Sequence, residues 1–384
     1  MAVNAKLTRL LLDKWWPGGT GLITGASKTS VKTNLLNDLF ATIGEKRYQY
    51  NSQSGEMTLF GRPFRVASAN DEASWKYIAG STVGLWIGDE AGNYPQSFFD
   101  MASSRMSMPG SRAYLTANPG NPHHYLKKDY IDNPKVKQTG QFWSGHYTLE
   151  DNPNVLEVVK EGWRTQYTGV FYLRNILGLW VIADGAIYRD VFTPDLIYTD
   201  ETRPIDLLSQ NGHRERFILC DYGTVNPMVF LDEYDDGRTM WIENEYYWDS
   251  KQQMRQKTDS QYADDLIEFI GPCDSFRRPG VILDPSAASF RVELQQRGFF
   301  VIDANNEVIE GIRKVSSMMN HKRIRIHERC RHTRREHEAY AWDTKAALRG
   351  EEQPIKSNDH TPDALRYGVH TRIGDWDWRL AAAA

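Results

Sequence analysis

The sequence predicts a two-domain protein of the α/β class. The chain has 384 residues and is therefore too long to fold around a single small hydrophobic core. Short apolar runs alternate with segments of helical spacing in both halves, an order typical of sheets covered by helices. An irregular stretch separates the halves. We therefore expect a first domain at 1–179, a linker at 180–207, a second domain at 208–375 and a tail at 376–384.

The elements of the first half predict a largely parallel sheet. Apolar runs predict strands, and apolar residues three and four positions apart predict helices. Strands are expected at 21–26, 83–88 and 113–116, a hairpin at 56–69, and helices at 30–43, 122–130 and 154–167. Because these strands alternate with helices, we expect most of them to run in one direction.

The second half predicts a sheet of mixed direction. A strand at 216–220 precedes a clear hairpin, with strands at 228–234 and 239–247 around the turn Asp235-Asp236-Gly237. Further strands are expected at 281–283 and 299–302, and helices at 262–270, before Met319, at 331–348 and at 362–371. Three antiparallel strands followed by alternating helices and strands is the order of a ribonuclease-H-like fold.

Composition is that of an ordinary globular protein, with 40% hydrophobic and 25% charged residues. No apolar run is long enough to cross a bilayer, and no signal peptide is recognisable, so we expect no membrane partner. The three cysteines have no CxxC spacing, which argues against a zinc site and fits a reducing compartment. The net charge of −4 does not exclude nucleic acid as a partner, because the local field of a groove decides binding.

Three aspartates of the second half have the placement of catalytic carboxylates. Asp221 and Asp284 each end an apolar strand, and Asp363 falls in the first turn of the last helix, after Thr361 and Pro362. Acids at strand ends meet at one sheet edge. Phosphodiester hydrolysis needs such a cluster, since two Mg²⁺ or Mn²⁺ ions about 4 Å apart activate water and neutralise both oxygens. Asp221 would bridge the ions, and His360 would be a ligand or proton carrier.

Each of these residues also has an ordinary structural interpretation. An aspartate after a strand is commonly a turn or cap residue, and one in a first helical turn favours the helix dipole. Taken in their order, the three support the catalytic interpretation. Glu243 and Glu245, two residues apart on one strand, either face solvent or contribute to the site. Glu245 is the candidate fourth metal ligand.

A second acidic motif occurs in the first half. Asp89-Glu90 ends the strand at 83–88 and resembles a Walker B motif, in which the Asp orients Mg²⁺ and the Glu polarises the attacking water. Thr116 and Asn118, after the next strand, resemble a motif that senses the γ-phosphate, although Asn-Pro is also a common turn. The cofactor implied is ATP with Mg²⁺.

No GxxxxGK[ST] phosphate loop precedes this motif. The stretch Gly25 to Thr33 ends in Lys-Thr, but Val31 stands where the loop needs glycine, and its Cβ obstructs amides that wrap a phosphate. The stretch is either a degenerate loop or the second strand and following helix of an ATPase domain. In the second interpretation, which we prefer, residues 4–15 form the helix that normally follows the loop, and the chain starts just after Walker A.

Taken together, these motifs resemble the large terminase subunits of tailed bacteriophages, particularly those of actinobacterial phages. The resemblance covers nearly the whole chain and rests on the order of these stretches: 60–62, 69–72, 89–90, Arg105 with Ser107, 116–119, 151–153, 221–223, Asp284 and 360–367. It implies an N-terminal ASCE or RecA-like ATPase that drives DNA translocation and a C-terminal ribonuclease-H-like nuclease that cuts concatemeric DNA.

The resemblance also implies partners and a location. The partners are double-stranded DNA, the small terminase subunit and the portal protein. The chain would be a monomer in solution and a ring, expected to be a pentamer, on the procapsid. It would work in the host cytoplasm, docked only transiently and absent from the mature virion. One departure concerns Ala79, where the family often has a candidate trans-acting arginine; Arg105 is the alternative for that role.

The densest basic run, 321–331 with Arg334 and Arg335, alternates Arg with Ile and predicts a strand with one basic face. That face either contacts DNA phosphates or is a solvated surface balanced by Glu328, Glu336 and Glu338. Three functions remain open: a packaging enzyme with ATPase and nuclease, a nuclease with a non-hydrolysing N-terminal scaffold, and a structural relic. The complete set of three aspartates favours the first two.

Overall fold

The structure, a computed structural model, describes residues 15–209, 212–273 and 278–374. The predicted helix at 4–15 lies outside these ranges except for Trp15, and the predicted tail lies wholly outside them. The chain divides into two compact units. The first comprises the described residues of Met1–Gly120 and Tyr125–Gln141, and the second those of Asn121–His124 and Phe142–Ala384.

The first unit contains a six-stranded sheet in the order β2-β3-β4-β1-β5-β6. Its strands are β1 (Thr20–Gly25), β2 (Tyr48–Tyr50), β3 (Glu56–Leu59), β4 (Arg62–Ser68), β5 (Val83–Gly88) and β6 (Arg112–Leu115). The four strands β4, β1, β5 and β6 are parallel, as the alternation of elements predicts. The hairpin strand β3 and the unpredicted β2 add an antiparallel edge.

Helices cover this sheet. They are α1 (Lys28–Val31), a π-helical segment (Lys32–Leu36), α2 (Asn37–Ile43), α3 (Gln96–Ser104), a second π-helical segment (Leu126–Ile131) and α4 (Pro134–Gln138), with 3₁₀ turns at Glu45–Arg47, Ser74–Tyr77 and Ala91–Asn93. The first three form one continuous helical stretch whose apolar side packs on β1, β3 and β4, because Val31, Leu36 and Leu39 are almost fully buried there.

The second unit contains a seven-stranded sheet in the order β12-β11-β8-β9-β10-β13-β7. Its strands are β7 (Ile197–Tyr198), β8 (Glu215–Asp221), β9 (Met228–Asp235), β10 (Met240–Trp248), β11 (Gly280–Leu283), β12 (Val301–Asp303) and β13 (Ile324–His327). As predicted, β8, β9 and β10 form an antiparallel meander. The strands β11 and β12 extend it in parallel on one side, and β13 and β7 on the other.

The helices of the second unit are α5 (Glu157–Gln166), α6 (Gly169–Asn175), α7 (Asp259–Ile270), α8 (Ala288–Gln296), α9 (Val308–Asn320), α10 (Arg331–Ala339), α11 (Thr344–Leu348) and α12 (His360–Arg372), with 3₁₀ turns at Leu149–Asp151 and Pro194–Leu196. The single helix predicted at 331–348 is wrong, because Ala341 and Trp342 make β-bridges that interrupt it. No helix in the described ranges is long and apolar enough to cross a membrane.

The strand β8 has a core on each face, because successive side chains of a strand point to opposite sides. Ile218 and Cys220 pack with α7 and α8. Leu219 packs on the other side with α9 and α12. Gly368 permits the close approach of α12, since a Cβ there would lie 2.5 Å from a methyl group of Leu219. The helix that carries the third predicted aspartate is thus fixed against the strand that carries the first.

The division between the units falls earlier in the chain than the predicted boundary. Residues 142–179 belong to the second unit, because Phe171 joins its core and the Thr168 hydroxyl lies 2.8 Å from that of Ser316. The segment predicted as a linker is also packed there. It contributes Tyr188 and Leu196 to the core, and its β7 pairs with β13.

Candidate functional site

The two strand-end aspartates lie at the same edge of the second sheet. Asp221 is the last residue of β8, and Asp284 follows β11 directly. Because β8 and β11 are neighbours and parallel, their carboxyl ends meet at one edge. Asp221 is also tied to the last helix, since its Oδ2 lies 3.0 Å from Nδ1 of His360.

Asp363 occupies the first turn of α12 and is 6% exposed. Its Oδ1 accepts hydrogen bonds from the buried guanidinium of Arg366, at 3.0 Å, and from the Tyr340 hydroxyl, at 3.4 Å. Its Oδ2 accepts from the ammonium of Lys356, at 3.2 Å. Arg366 is itself held by two backbone carbonyls, so the direction of the Asp363 carboxylate is fixed by the packing of the helix.

The hydroxyl of Tyr367 joins the three predicted aspartates. Burial raises the pKa of Tyr367 well above its usual range, and the charges of Asp221, Asp363 and Asp284 raise it further. Hydrogen bonds link Asp284 and Asp363 as well, because the Asn306 amide lies 3.4 Å from Asp284 and the Asn306 carbonyl accepts from Arg366, which donates to Asp363. A hydrogen bond from Tyr367 is one of the interactions that lower the pKa of Asp284. The structure therefore brings together the three aspartates and His360 that the sequence singled out.

Four further residues complete this cluster, and the sequence analysis did not identify them as part of it. Asp359 precedes α12, is 6% exposed and lies 3.5 Å from the Lys356 ammonium. The other three residues are Lys356, Tyr367 and Asn306. The side-chain amide of Asn306 lies 3.4 Å from Asp284. The sequence held a signal for two of them, because Asp359 stands next to His360 in the run Asp-His-Thr-Pro-Asp and Tyr367 ends the stretch 360–367 that carries the family resemblance.

Crowding of carboxylates perturbs their ionisation. Burial raises the pKa of Asp221 to about 6, with Asp363 and Asp359 contributing in the same direction against the hydrogen bond from His360. Burial likewise raises the pKa of Asp359, helped by the charge of Asp363. Burial lowers the pKa of His360, but its contact with Asp221 outweighs this and raises it. Such a cluster is stabilised by added positive charge.

Asp284 differs, because burial would raise its pKa but hydrogen bonds from Ser286, Tyr367 and Asn306 outweigh burial and lower it. The cluster thus offers one readily ionised carboxylate beside others that ionise less readily. Oxygen ligands of this kind are those that Mg²⁺ and Mn²⁺ prefer, and the donor set fits such ions.

The carboxylate of Glu245 makes its hydrogen bonds outside the aspartate cluster. Its oxygens accept hydrogen bonds from the backbone amides of His332 and Thr333, at 2.7 and 2.8 Å, and from the Thr333 hydroxyl, at 2.7 Å. Glu245 therefore caps the N-terminus of α10, where a negative charge is favourable. With both oxygens used in this way, we leave Glu245 out of the metal-ligand set proposed below.

Glu243 is buried rather than exposed to solvent. It accepts a hydrogen bond from Tyr198, at 2.8 Å, and pairs with Arg203, at 2.7 Å. With Asp200 and His327 it forms a group whose ligand-type atoms lie within 4.8 Å of one another. Arg203 and Arg329 both pair with Asp200 in that group. Two guanidinium groups already neutralise its carboxylates, so this group is an ion-pair network.

A second buried glutamate holds the start of α12. Glu336, on α10, is 0% exposed. It accepts hydrogen bonds from the backbone amide and hydroxyl of Thr361, at 2.7 and 2.9 Å, and from the Tyr247 hydroxyl, at 2.7 Å. Glu245 therefore fixes α10 to β10, and Glu336 fixes α12 to α10. These two contacts position the turn that carries His360 and Asp363.

The acidic pair of the first unit also lies at a sheet edge. Asp89 follows β5 and accepts a hydrogen bond from the Thr116 hydroxyl, at 3.0 Å. The same hydroxyl accepts from the backbone amide of Glu90, at 3.1 Å. A Cβ at Gly92 would lie 3.3 Å from the Asn118 carbonyl, which places Asn118 beside the turn after Glu90. The structure thus brings these predicted residues together.

Glu90 has an unusual backbone conformation. Its φ of 54° and ψ of 45° lie in the left-handed region, which costs energy for a residue other than glycine. Burial raises the pKa of Glu90, and the neighbouring charge of Asp89 raises it further. Strained backbone and a perturbed carboxylate are both typical of functional sites.

The stretch from Gly25 to Thr33 does not have the shape of a phosphate loop. Only Ala26 and Ser27 separate β1 from α1. The hydroxyls of Ser27 and Ser30 each accept the other residue's amide, at 3.0 Å, so these amides are already satisfied. The strand β1 lies between β4 and β5 inside the sheet. This geometry agrees with the interpretation of the stretch as a strand and its following helix.

The basic run separates into two parts. Around β13, Arg323 just before the strand is buried, Arg325 within it binds the Asp195 carbonyl, and Arg329 after it pairs with Asp200 at 2.6 Å. In α10, by contrast, Arg331 and Arg335 are exposed, and within the described ranges no acid lies within ion-pair distance of either. The arginines of this segment are thus buried or bound to Asp195 and Asp200 rather than balanced by Glu328, Glu336 and Glu338 as predicted, whereas α10 presents exposed positive charge.

The chain is thus an α/β protein of two units, each with one sheet and with acidic residues at an edge of that sheet. The structure of the large terminase from a thermophilic bacteriophage is similar over 97% of this chain and 90% of that chain, with 34% identity and a TM-score of 0.86. The chain therefore belongs to the bacteriophage large-terminase family.

The same large terminase of the thermophilic bacteriophage is also similar in its complexes with nucleotides. The ADP complex has 34% identity and a TM-score of 0.85 over 97% of this chain and 90% of that one. The ATP-gamma-S complex has 33% identity and a TM-score of 0.82 over 95% and 89%. No protein-family model and no curated protein sequence matches the chain.

Proposed function

We propose that this chain is a DNA-packaging large terminase subunit whose second unit is a ribonuclease-H-like, two-metal endonuclease that cuts concatemeric double-stranded DNA. The observation that supports this most strongly is that Asp221 and Asp284 end neighbouring parallel strands, while His360 ties Asp221 to the helix that carries Asp363. The meander of β8, β9 and β10, extended in parallel by β11 and β12, agrees with that fold.

The residues divide the chemistry among them. Asp221, Asp284 and Asp363 would hold two Mg²⁺ or Mn²⁺ ions, with Asp359 beside them. When bound, such ions supply a water nucleophile at neutral pH and neutralise charge on the attacking and leaving oxygens. His360 orients the Asp221 carboxylate through the 3.0 Å contact, and its raised pKa lets it carry a proton near neutral pH.

Plasmid cleavage in Mn²⁺ or Mg²⁺ tests the nuclease. Wild type should nick or linearise supercoiled DNA, whereas Asp221→Asn and Asp363→Asn should lose at least about a hundredfold in rate, because each removes a charged ligand. Glu338→Gln, an exposed acid on α10, is the matched control and should cut like wild type. Equal cutting by wild type and both aspartate variants would refute the assignment.

We further propose that the first unit is an ATPase-like domain of the ASCE or RecA type that drives translocation. The contacts among Asp89, Glu90 and Thr116 support this, as do the nucleotide complexes of the similar terminase from the thermophilic bacteriophage. Asp89 would orient Mg²⁺ of ATP, Glu90 would polarise the attacking water, and Thr116 and Asn118 would sense the γ-phosphate.

The second candidate function is a nuclease whose first unit is a non-hydrolysing scaffold. The absence of a GxxxxGK[ST] phosphate loop from the sequence favours it. Binding of a fluorescent ATP analogue separates the two. The motor proposal expects saturable binding that weakens in Asp89→Asn, whereas the scaffold proposal expects no binding to wild type.

The assembly follows from the packaging proposal. The partners would be double-stranded DNA, the small terminase subunit and the portal protein. The chain would be a monomer in solution and a pentameric ring when docked on the procapsid in the host cytoplasm. Light scattering of the chain with and without portal protein tests this. The proposal expects the mass of one chain without the portal, and the mass of the portal plus five chains when the portal is present.

A further inference from the structure

Lys356 extends a positive charge into the acidic cluster from outside. It lies in the segment before α12, and its side chain is 62% exposed. Its ammonium nevertheless lies 3.2 Å from Oδ2 of Asp363 and 3.5 Å from Oδ2 of Asp359. The side chains of these two aspartates are only 9% and 8% exposed. A long, solvated lysine thus covers the accessible oxygens of two nearly buried carboxylates.

The other oxygen of Asp363 is already used. Its Oδ1 accepts from Arg366, whose side chain is 1% exposed and which donates to the carbonyls of Asn306 and Glu307, at 2.8 and 3.1 Å. A buried guanidinium fixed by backbone carbonyls does not move aside readily. A metal ion that binds Asp363 must therefore use Oδ2, which is the oxygen that Lys356 covers.

We propose that Lys356 is a place-holding cation of the nuclease site, which the second metal ion must displace from Asp363 and Asp359. The proposal rests on the proposed function, because it requires the cluster to bind divalent ions. Lysine suits this role, since its ammonium is a compact charge on a flexible stem and its exposed position leaves it free to swing into solvent. An arginine fixed like Arg366 would block the site permanently.

The exchange links metal binding to the arrival of DNA. Without a substrate, the displaced ammonium loses two carboxylate partners and gains only water. With DNA bound at the cluster, backbone phosphates offer it new anionic partners. The second ion is therefore bound more tightly when DNA is present, and the full two-ion site assembles on its substrate.

Calorimetric titration with Mn²⁺ in the absence of DNA tests the proposal without measuring cleavage. Lys356→Met should bind the second ion about tenfold more tightly than wild type, because two ion pairs no longer compete. Lys356→Arg keeps the charge and should bind no more tightly than wild type. Lys345→Met, an exposed lysine of α11, is the control and should leave the affinity unchanged.

The outcomes are distinguishable. If Lys356→Met binds Mn²⁺ with wild-type or weaker affinity while remaining folded in a thermal melt with EDTA, the place-holding role is refuted and the nuclease proposal stands. If wild type and Lys356→Met both bind no Mn²⁺, the metal centre itself is refuted, and the place-holding role is refuted with it.

Discussion

The contact between Glu336 and Thr361 makes the strongest quantitative prediction. Replacing Glu336 by alanine removes the acceptor of three hydrogen bonds, from the amide and hydroxyl of Thr361 and the hydroxyl of Tyr247. Thr361 is 0% exposed, so water does not replace the acceptor there. Each buried donor left unpaired costs about 1–3 kcal/mol, offset in part by no longer burying a carboxylate. We expect a loss of about 3–4 kcal/mol in the free energy of unfolding.

Two further variants serve as comparisons for this expected loss in the free energy of unfolding. Glu336→Gln keeps an oxygen facing Thr361, and the Tyr247 hydroxyl can rotate to accept from the new amide, so we expect a loss of only about 1 kcal/mol. Glu338→Ala, an exposed position on the same helix, should change stability by less than about 0.5 kcal/mol. Urea unfolding in EDTA measures all three.

Hydrogen exchange reports the same contact locally. In Glu336→Ala, the amide of Thr361 should lose its protection while amides of β8 keep theirs at low urea. Cleavage in Mn²⁺ should fall about a hundredfold, because the first turn of α12 no longer holds His360 and Asp363 in place. If Glu336→Ala unfolds within about 1 kcal/mol of wild type and Thr361 stays protected, our account of this helix start is wrong.

The remaining predictions concern charge and packing. At pH 8 in EDTA, Asp221→Asn should be more stable than wild type by about 2–3 kcal/mol: a pKa raised from 3.8 to about 6 means that stability present below pH 3.8 is lost as the pH rises through 6. Urea unfolding at pH 8 and pH 4 checks this, and a difference that does not shrink at pH 4 contradicts it. Arg331→Gln with Arg335→Gln should lower the salt dependence of duplex binding by about one unit of log–log slope per lost phosphate contact, measured by anisotropy, whereas Arg329→Gln, already paired with Asp200, should not. Gly368→Ala should destabilise the second unit by about 1–3 kcal/mol, because its Cβ meets Leu219, and a melting temperature equal to wild type would exclude that clash.

Local pattern predicted the parts of the site that lie on strands. Asp221 and Asp284 end buried apolar runs, and the direction of the strands then places both acids at one edge. The confirmed family and the two-sheet α/β fold followed from the same patterns. Asp89 and Thr116 were predictable for the same reason, since they follow the adjacent parallel strands β5 and β6.

The features that the sequence analysis missed or placed wrongly depend on contacts between segments that are distant in the sequence. Glu245 has the residue type and spacing of a metal ligand, and only the packing of α10 against β10 shows that it caps a helix. Lys356 and Arg366 bind different oxygens of Asp363, and no spacing in the sequence encodes this arrangement. The segment at 142–179 has helical pattern but no mark of which sheet it packs on, so its unit was assigned incorrectly by position.

The left-handed backbone of Glu90 has a consequence for how this chain tolerates mutation. Glycine, or less well asparagine, would adopt the same φ of 54° with less strain, by about 1 kcal/mol. A library selected only for thermal stability should therefore lose this glutamate early, whereas the proposed ATPase role predicts that a library selected for nucleotide-driven work keeps it. The residue found at position 90 thus distinguishes selection for thermal stability from selection for the proposed activity.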